Sequence, residues 1–163
     1  MNRALKTALW TIAFAQFLKI PLKKWETGKW CWAHFFETGG MPSSHSAGVS
    51  SLATFIALKR GMRTVDFALA ALFGLIVMYD AQGVRRQAGE LAIRLNELAE
   101  EVMRLEHNPK QAWYEKKKER IRERLGHQPI EVIGGALLGM LTGFLSYAFA
   151  RKKSSQLGKN AIR

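Results

Sequence analysis

Residues Ile130–Ala150 read IEVIGGALLGMLTGFLSYAFA, and this stretch decides the fold class. It reaches the ~20 predominantly apolar residues that an α-helix needs to cross a bilayer. Its glycines include Gly135, Gly139 and Gly143, spaced four residues apart, which would let a second helix approach closely in lipid. The stretch therefore predicts a membrane-spanning helix that packs against a neighbour.

Three shorter apolar segments precede this helix: Ala4–Pro21, Ser46–Leu58 and Val65–Tyr79. Each is near the short limit for a membrane span, so buried helices of a soluble bundle are the alternative. A charged stretch, residues 80–126, follows the third segment and breaks into two helical parts near Pro109. We predict an all-α fold: an integral membrane helical bundle with about four membrane helices plus a polar amphipathic helical hairpin.

The first part of the charged stretch carries an apolar seam in alternating steps of four and three residues, which is typical of coiled-coil-like pairing. Its partner is either the second part, residues 113–125, folded back antiparallel, or the same seam of a second chain in a homodimer. The seam comprises Val84, Ala88, Leu91, Leu95, Leu98, Val102 and Leu105.

The length of 163 residues fits one domain better than two. We assign residues 1–150 to a single membrane domain with the polar hairpin at 83–125, and expect the basic tail at 151–163 to be disordered. A cleavable signal peptide at the N-terminus is the alternative for the first segment. Gln16 and Lys19 argue against it, because they share a helix face that would point into a site.

The net charge of +12, from 25 Lys and Arg against 13 Asp and Glu, indicates an anionic partner. The basic residues mostly flank apolar segments, and neither a zinc-finger spacing nor an RNA-recognition signature is present, so the bilayer is favoured over nucleic acid. The tryptophans Trp25, Trp30 and Trp32 lie beside lysines, as in a headgroup-level anchor or a partner site. The single cysteine, Cys31, excludes an internal disulfide.

Residues 39–46, GGMPSSHS, predict a phosphate site at the start of an apolar helix. Pro42 suits the first turn, Ser43 and Ser44 can cap it, and the N–H groups there attract an anion. His45 would lie beside the bound phosphate, where it could protonate a leaving alkoxide. An ordinary capped helix with a surface histidine is the alternative.

Residues 79–89, YDAQGVRRQAG, place a carboxylate at the end of one helix and paired arginines near the start of the next. Arg85 and Arg86 could grip phosphate oxygens with their guanidinium forks. Alternatively the arginines reach only the headgroups, and Asp80 caps the helix or pairs with them.

Residues 126–135, GHQPIEVIGG, place His127 just before the last apolar helix and Glu131 four residues later. This spacing lets the carboxylate bond one imidazole nitrogen, so that the other nitrogen is free to attack phosphorus. A loop histidine is the alternative.

The three motifs in this order resemble the divergent branch of the type 2 phosphatidic acid phosphatase family, which is related to acid phosphatases and vanadium haloperoxidases. The resemblance spans nearly all of residues 10–145 and implies a membrane phosphatase acting on a lipid phosphate, with no metal or other cofactor. It assigns the nucleophile to His127, its acidic partner to Glu131, and protonation of the leaving group to His45. The remaining candidates would bind the substrate phosphate: Lys19, Ser43, Ser44, Asp80, Arg85 and Arg86.

The chain departs from the main pattern of the family at two motifs. Lys19 corresponds to the first-motif lysine, but Glu26 and Thr27 stand where Arg-Pro is usual. The serine-arginine pair that usually precedes the last histidine is missing, and Arg85 and Arg86 are the candidates to replace it. A non-hydrolysing member, a Mg²⁺- or Mn²⁺-dependent phosphoryl-transfer enzyme, and an adaptor that binds anionic lipid are the alternatives.

With four crossings, the three motifs fall on one side of the membrane, and both termini with residues 59–63 fall on the other. We expect a multi-pass protein, with a bacterial plasma membrane as its setting, while the basic flanks and the basic hairpin favour opposite orientations. Four crossings are fewer than the six helices of the family's usual fold, and a homodimer could complete the site. Phosphatidyl and isoprenyl phosphates both fit as substrates.

Overall fold

The computed structural model describes residues 2–28, 35, 39–105 and 126–160, with the side chains at 26, 27, 85, 103–105 and 153–160 left undescribed. These residues form helices without any strand, as the apolar segments predict. The helices are α1 (Arg3–Thr27), α2 (Ser44–Arg60), α3 (Val65–Gln82), α4 (Val84–Leu105) and α5 (Pro129–Asn160).

Local capping residues fix where these helices begin and end. The Asn2 side chain accepts from the Ala4 N–H at 3.0 Å, and the Thr64 hydroxyl accepts from the Phe67 N–H at 3.4 Å. Gly28 ends α1 in the left-handed region, at φ 71°, where a residue without a Cβ is favoured. Helix α1 thus extends six residues beyond the apolar segment Ala4–Pro21, with Pro21 inside the helix.

Helix α2 is central and packs against α1, α3 and α5. Along α5, a methyl group added at Gly135 or Gly139 would overlap the carbonyl oxygens of Ser43 or Ala47. One added at Gly143 would lie 2.6 Å from the Ser51 carbonyl oxygen. Helices α2 and α5 therefore run parallel in backbone contact, at a stripe spaced four residues apart on both helices, as the α5 glycines predict.

The bundle has small and polar side chains inside and large apolar side chains outside. The buried side of α1 includes Ala8, Thr11 and Ala15, whereas Trp10 and Phe17 on the same helix are 76% and 55% exposed. A water-soluble bundle has the opposite arrangement, because its large apolar side chains drive folding by leaving water. This distribution is the one expected of a bundle surrounded by lipid.

Among the residues that the structure describes, two helical stretches are long and apolar enough to cross a membrane: Val65–Val102, which includes α3, and Pro129–Lys152 of α5. Only 11% and 22% of their apolar windows are buried within the protein, whereas the core helix of a soluble bundle would be mostly buried. Helices α1 and α2, expected as further spans, do not meet the same criterion of length and composition. Both instead carry polar side chains on the faces that they bury, such as Thr7 and Ser51.

Helices α1 and α5 run antiparallel and are joined by two hydroxyl pairs one turn apart. The Thr7 and Ser146 hydroxyls lie 2.6 Å apart, and Thr11 donates to Thr142 at 2.9 Å. Such interhelical hydrogen bonds between buried hydroxyls contribute about 0.6 kcal/mol each on average in a membrane bundle.

Helix α4 is the first part of the predicted polar hairpin, and its second part lies outside the described residues. Five apolar side chains of the seam are exposed by half or more, while Ala92 and Asn96 on another face of α4 are buried. The homodimer through this seam stays a prediction. The exposed seam side chains are Val84, Leu91, Leu95, Leu98 and Val102.

The last helix extends into the basic tail. Helix α5 continues without a break through residues 151–160, part of the segment expected to be disordered. Six of these ten residues are Arg, Lys, Gln or Leu, which are good helix formers, and no proline interrupts the segment.

Replacing Gly139 with valine should separate α2 from α5. The added side chain meets the Ala47 carbonyl and the Ser50 Cβ, so we expect a loss of about 1–3 kcal/mol in the free energy of unfolding. Unfolding of detergent-purified protein, followed by tryptophan fluorescence, measures this change. The matched control is Ala148→Val, which adds the same residue at an exposed position of α5. Equal stabilities of the two variants would contradict the close packing.

Candidate functional site

Four parts of the chain meet at one end of the bundle, which we call the site end. It consists of the first turns of α2 and α5, the last turn of α3, and Lys19 of α1. The Ser43 N–H donates to the Glu131 carbonyl oxygen at 3.0 Å, which fixes the start of α2 against the start of α5. The His127 N–H donates to the Ala81 carbonyl oxygen at 3.0 Å, which fixes the segment before α5 against α3. Both bonds involve backbone atoms and hold the three sequence motifs together.

Ser43 is the N-cap of α2. Its hydroxyl oxygen accepts from the Ser46 N–H at 3.4 Å and from the Ser46 hydroxyl at 3.0 Å, and it is fully buried. Ser44 and His45 follow as the first two helical residues, whose N–H groups have no acceptor within the helix by virtue of their position. Pro42 lies before the cap, after a cis Met41–Pro42 bond, and not in the first turn as expected.

The two motif histidines are neighbours. The rings of His45 and His127 pack edge to face, with centroids 6.2 Å apart and planes inclined by 80°. His45 is exposed on the first turn of α2, whereas His127 is 3% exposed. Two residues 82 positions apart in sequence (127 − 45) are therefore neighbours in the structure, one exposed and the other buried.

Lys19 brings a cation to the same end. It is 2% exposed, and its ammonium donates to the Gly39 carbonyl oxygen at 3.0 Å. A Cβ at Gly39 would lie 3.4 Å from the carbonyl oxygen of Gly126, which itself has a positive φ of 105°. The segment before α2 therefore lies against the segment before His127, where the positive φ of Gly126 favours a residue without a Cβ.

Glu131 makes a different contact from the one expected. Its carboxylate accepts from the Gln128 N–H at 3.1 Å, and not from the His127 imidazole. The physical reason is the start of α5 at Pro129: His127 precedes the helix, so the rule that residues four apart share a helix face does not apply to this pair. Glu131 instead completes a capping arrangement with Gln128, and Pro129 occupies the first helical position.

The residues of the second motif, 79–89, are divided between the site end and the surface. Asp80 is half-buried in the last turn of α3, next to Ala81, which holds His127. Arg86 points elsewhere: it pairs with Glu90 at 3.1 Å on the same helix, and both side chains are half exposed. The side chain of Arg85 lies outside the described part of the structure. The expected paired-arginine grip therefore lacks Arg86.

Several site contacts are not evident from the sequence. The Ala81 carbonyl and the Ser46 hydroxyl have no recognisable pattern, because any residue supplies a carbonyl and serines are common near helix starts. The capping role of Glu131 did have a signal, since Gln128, Pro129 and Glu131 follow the order of N-cap, proline and capping carboxylate. Among the described side chains, no three of His, Cys, Asp and Glu cluster as metal ligands would.

Comparison with known proteins agrees with this convergence of motifs. The model of the divergent PAP2 family matches residues 1–142. The chain belongs to the divergent PAP2 family. It is also 45% identical over 153 residues to the uncharacterized membrane protein YuiD of Bacillus subtilis (strain 168), covering 91% of this chain and 96% of that one. No solved structure matches.

Membership in the divergent PAP2 family makes the chain a phosphatase-related membrane protein. All three motifs fall inside the matched residues 1–142.

Glutamine at position 131 should preserve the start of α5. Glu131→Gln keeps an oxygen that can accept from the Gln128 N–H, so we expect stability close to wild type. Glu131→Ala removes the acceptor and should lower the free energy of unfolding by about 1 kcal/mol. Thermal unfolding in detergent compares the two variants. A loss of stability in Glu131→Gln as large as in Glu131→Ala would contradict the capping role.

Proposed function

We propose that the protein is a membrane lipid-phosphate phosphatase that hydrolyses a phosphomonoester or diphosphate of a lipid through a phosphohistidine intermediate. The observation that carries this proposal is the pairing of His45 with His127, whose ring centroids lie 6.2 Å apart beside the capped start of α2. Both rings can reach one phosphoryl group, because each reacting pair of atoms needs a separation of about 3–3.5 Å.

The two histidines differ in ways that suit different roles. His127 is buried and its backbone is held by Ala81, so its ring is the better-positioned nucleophile. His45 is exposed on the helix start and is the better-placed acid for a departing alcohol. A nitrogen of His127 attacks phosphorus as the bond to the alkoxide oxygen breaks, and His45 gives its proton to that oxygen. Water then attacks the phosphohistidine, its proton passes to His45, and phosphate leaves with His127 restored.

In this proposal, the helix starts and Lys19 supply the positive charge that binds the phosphate. Helices α2 and α5 both begin at the site end, and the positive end of a helix dipole attracts anions. Lys19 adds a buried amino group, which donates to the Gly39 carbonyl oxygen. Ser44 is buried next to the cap and would donate its hydroxyl or its N–H to a phosphate oxygen. Arg85 and Asp80 remain candidates, and Arg86 would first have to leave Glu90.

The surroundings favour a lipid as the alcohol. Large apolar side chains cover the outside of the bundle, so a substrate with an apolar tail can reach the site end from the membrane. Both phosphatidyl and isoprenyl phosphates meet this requirement. We propose a multi-pass location in a bacterial plasma membrane, on the strength of the exposed apolar helices and of the Bacillus relative.

Phosphate release by detergent-purified protein tests the proposal. A panel of phosphatidate, phosphatidylglycerophosphate and isoprenyl mono- and diphosphates is assayed with and without EDTA. We expect turnover of at least one member that survives EDTA, disappears in His127→Ala, and falls about 10²–10⁴-fold in His45→Ala. Acid-labile phosphate on the wild-type chain, absent from His127→Ala, would identify the intermediate.

The matched control is His107→Ala, which removes a histidine outside the three motifs. Full activity of a folded His127→Ala variant would refute the mechanism. Activity lost on EDTA would favour the metal-dependent alternative, and lipid binding without turnover would favour the adaptor.

Substituting Lys19 tests the phosphate site separately from the histidines. Lys19→Met removes the buried cation, so kcat should fall about 10²-fold because the transition state loses a fixed positive charge. Lys24→Met is the matched control, since Lys24 is exposed on the same helix. Equal kinetics for the two variants, with thermal midpoints near wild type, would exclude Lys19 from the phosphate site.

A further inference from the structure

A groove between α1 and α5 lies at the end of the bundle opposite the site end. Its volume is about 580 Å³, within the range of ligand-binding cavities. The two interhelical hydroxyl pairs, Thr7 with Ser146 and Thr11 with Thr142, lie along it. These hydroxyls already form hydrogen bonds with each other, so they need no further partner from a ligand. Aromatic and basic side chains form most of the remaining surface of the groove.

Aromatic side chains line the rest of the groove towards the middle of the bundle. Trp10 and Phe14 do so from α1 and are 76% and 47% exposed. Phe149 of α5, 72% exposed, lies nearer the outer end, because the pairing of Thr7 with Ser146 places it level with the first turn of α1. Aromatic and hydroxyl groups together form a slot that an aliphatic chain can fill without leaving a polar atom unsatisfied. The lining is therefore suited to a hydrocarbon tail.

Two cations stand at the outer end of the groove. Arg3 and Lys6 line it from the first turn of α1, and both are exposed. Within the part of the chain that the structure describes, neither pairs with a carboxylate. An arginine fork with a neighbouring ammonium matches a phosphate group.

The length of the groove corresponds to one leaflet. From Arg3 to Phe14, α1 rises by roughly 16 Å at 1.5 Å per residue. Half of a hydrocarbon core that is about 30 Å thick is nearly the same distance. Cations at one end and aromatics along the other therefore coincide with the headgroup and the acyl chain of a lipid in the leaflet next to the termini.

We propose that this groove binds one anionic phospholipid as a resident ligand, with its phosphate at Arg3 and Lys6, the start of an acyl chain beside Phe149 and the rest of that chain against Trp10 and Phe14. The site is separate from the candidate catalytic site, because it lies at the opposite end of α1 from Lys19. The bound lipid is not a substrate, since His45 and His127 lie at the other membrane face. It fills the slot between α1 and α5 and so supports the packing of those helices.

Native mass spectrometry tests the groove with defined lipids. The full chain is released from detergent micelles containing equal amounts of phosphatidylglycerol and phosphatidylcholine with identical acyl chains. We expect wild type to retain one phosphatidylglycerol in preference to phosphatidylcholine. Arg3→Gln combined with Lys6→Gln should reduce this preference by at least about fivefold, since a cation near an anionic headgroup contributes about that factor.

The matched control is Lys59→Gln combined with Arg63→Gln, which removes two exposed cations from the same end of the bundle but outside the groove. It should retain the wild-type preference. If both double variants lost the preference for phosphatidylglycerol equally, general surface charge would explain it, and the proposal would be overturned. No preference in wild type would also overturn it.

His127→Ala separates this proposal from the proposed enzyme. Phosphatidylglycerol retention should be unchanged in that variant, whether or not the chain is a phosphatase. Loss of retention in His127→Ala would mean that the lipid occupies the candidate catalytic site, and the groove would then not be its binding site.

Discussion

The parallel contact between α2 and α5 is the constraint on which the rest of the structure depends. In lipid, two helices gain little from apolar side chains, because acyl chains solvate those equally well, so close packing and hydrogen bonds must hold them together. Gly135, Gly139 and Gly143 let the backbones meet at the carbonyls of α2. The same approach allows the Ser43 N–H to bond the Glu131 carbonyl, which sets the two helix starts side by side. The stripe that builds the bundle thereby also builds the site end.

Close packing also explains which polar groups are inside. Ser46 and Ser51 are fully buried, and each bonds a group on its own helix, so it fills a small space without leaving a polar atom unsatisfied. Lys19 and His127 differ from these serines, because their side chains are large, ionisable and costly to bury in a bundle surrounded by lipid. Both lie at the site end. Packing alone does not require a buried lysine or a buried histidine there, because a small or apolar side chain would be cheaper to bury.

The helices and the meeting of the motifs were predictable, whereas the individual contacts of the site were not. Apolar length and the spacing of the α5 glycines report directly on burial in lipid, so they predict spans and one interface. The role of Glu131 depended on whether α5 begins before or after His127, and a shift of two residues at the helix start changes which side chains can meet. The prediction that Arg86 points to the phosphate site was wrong for a similar reason. Helix α4 begins at Val84, so Glu90 lies one turn after Arg86 and pairs with its guanidinium group. A sequence motif gives residue types and spacing. It does not show whether a nearby backbone N–H or carboxylate binds the side chain first.

Because Arg86 pairs with Glu90, the proposed phosphate site has fewer arginines than the main family and needs another source of positive charge. Each helix start carries roughly half an elementary charge, so two of them at one point supply about as much positive potential as one guanidinium. This charge is fixed in the backbone and needs no reorganisation as negative charge develops on phosphorus. Glu131 offsets part of it at α5, which leaves the start of α2 and Lys19 as the stronger positive elements. Lys19 bonds Gly39 in the segment that leads into α2, and His45 lies in the first turn of that helix, so in the proposed reaction both positive elements belong to the part of the chain around His45.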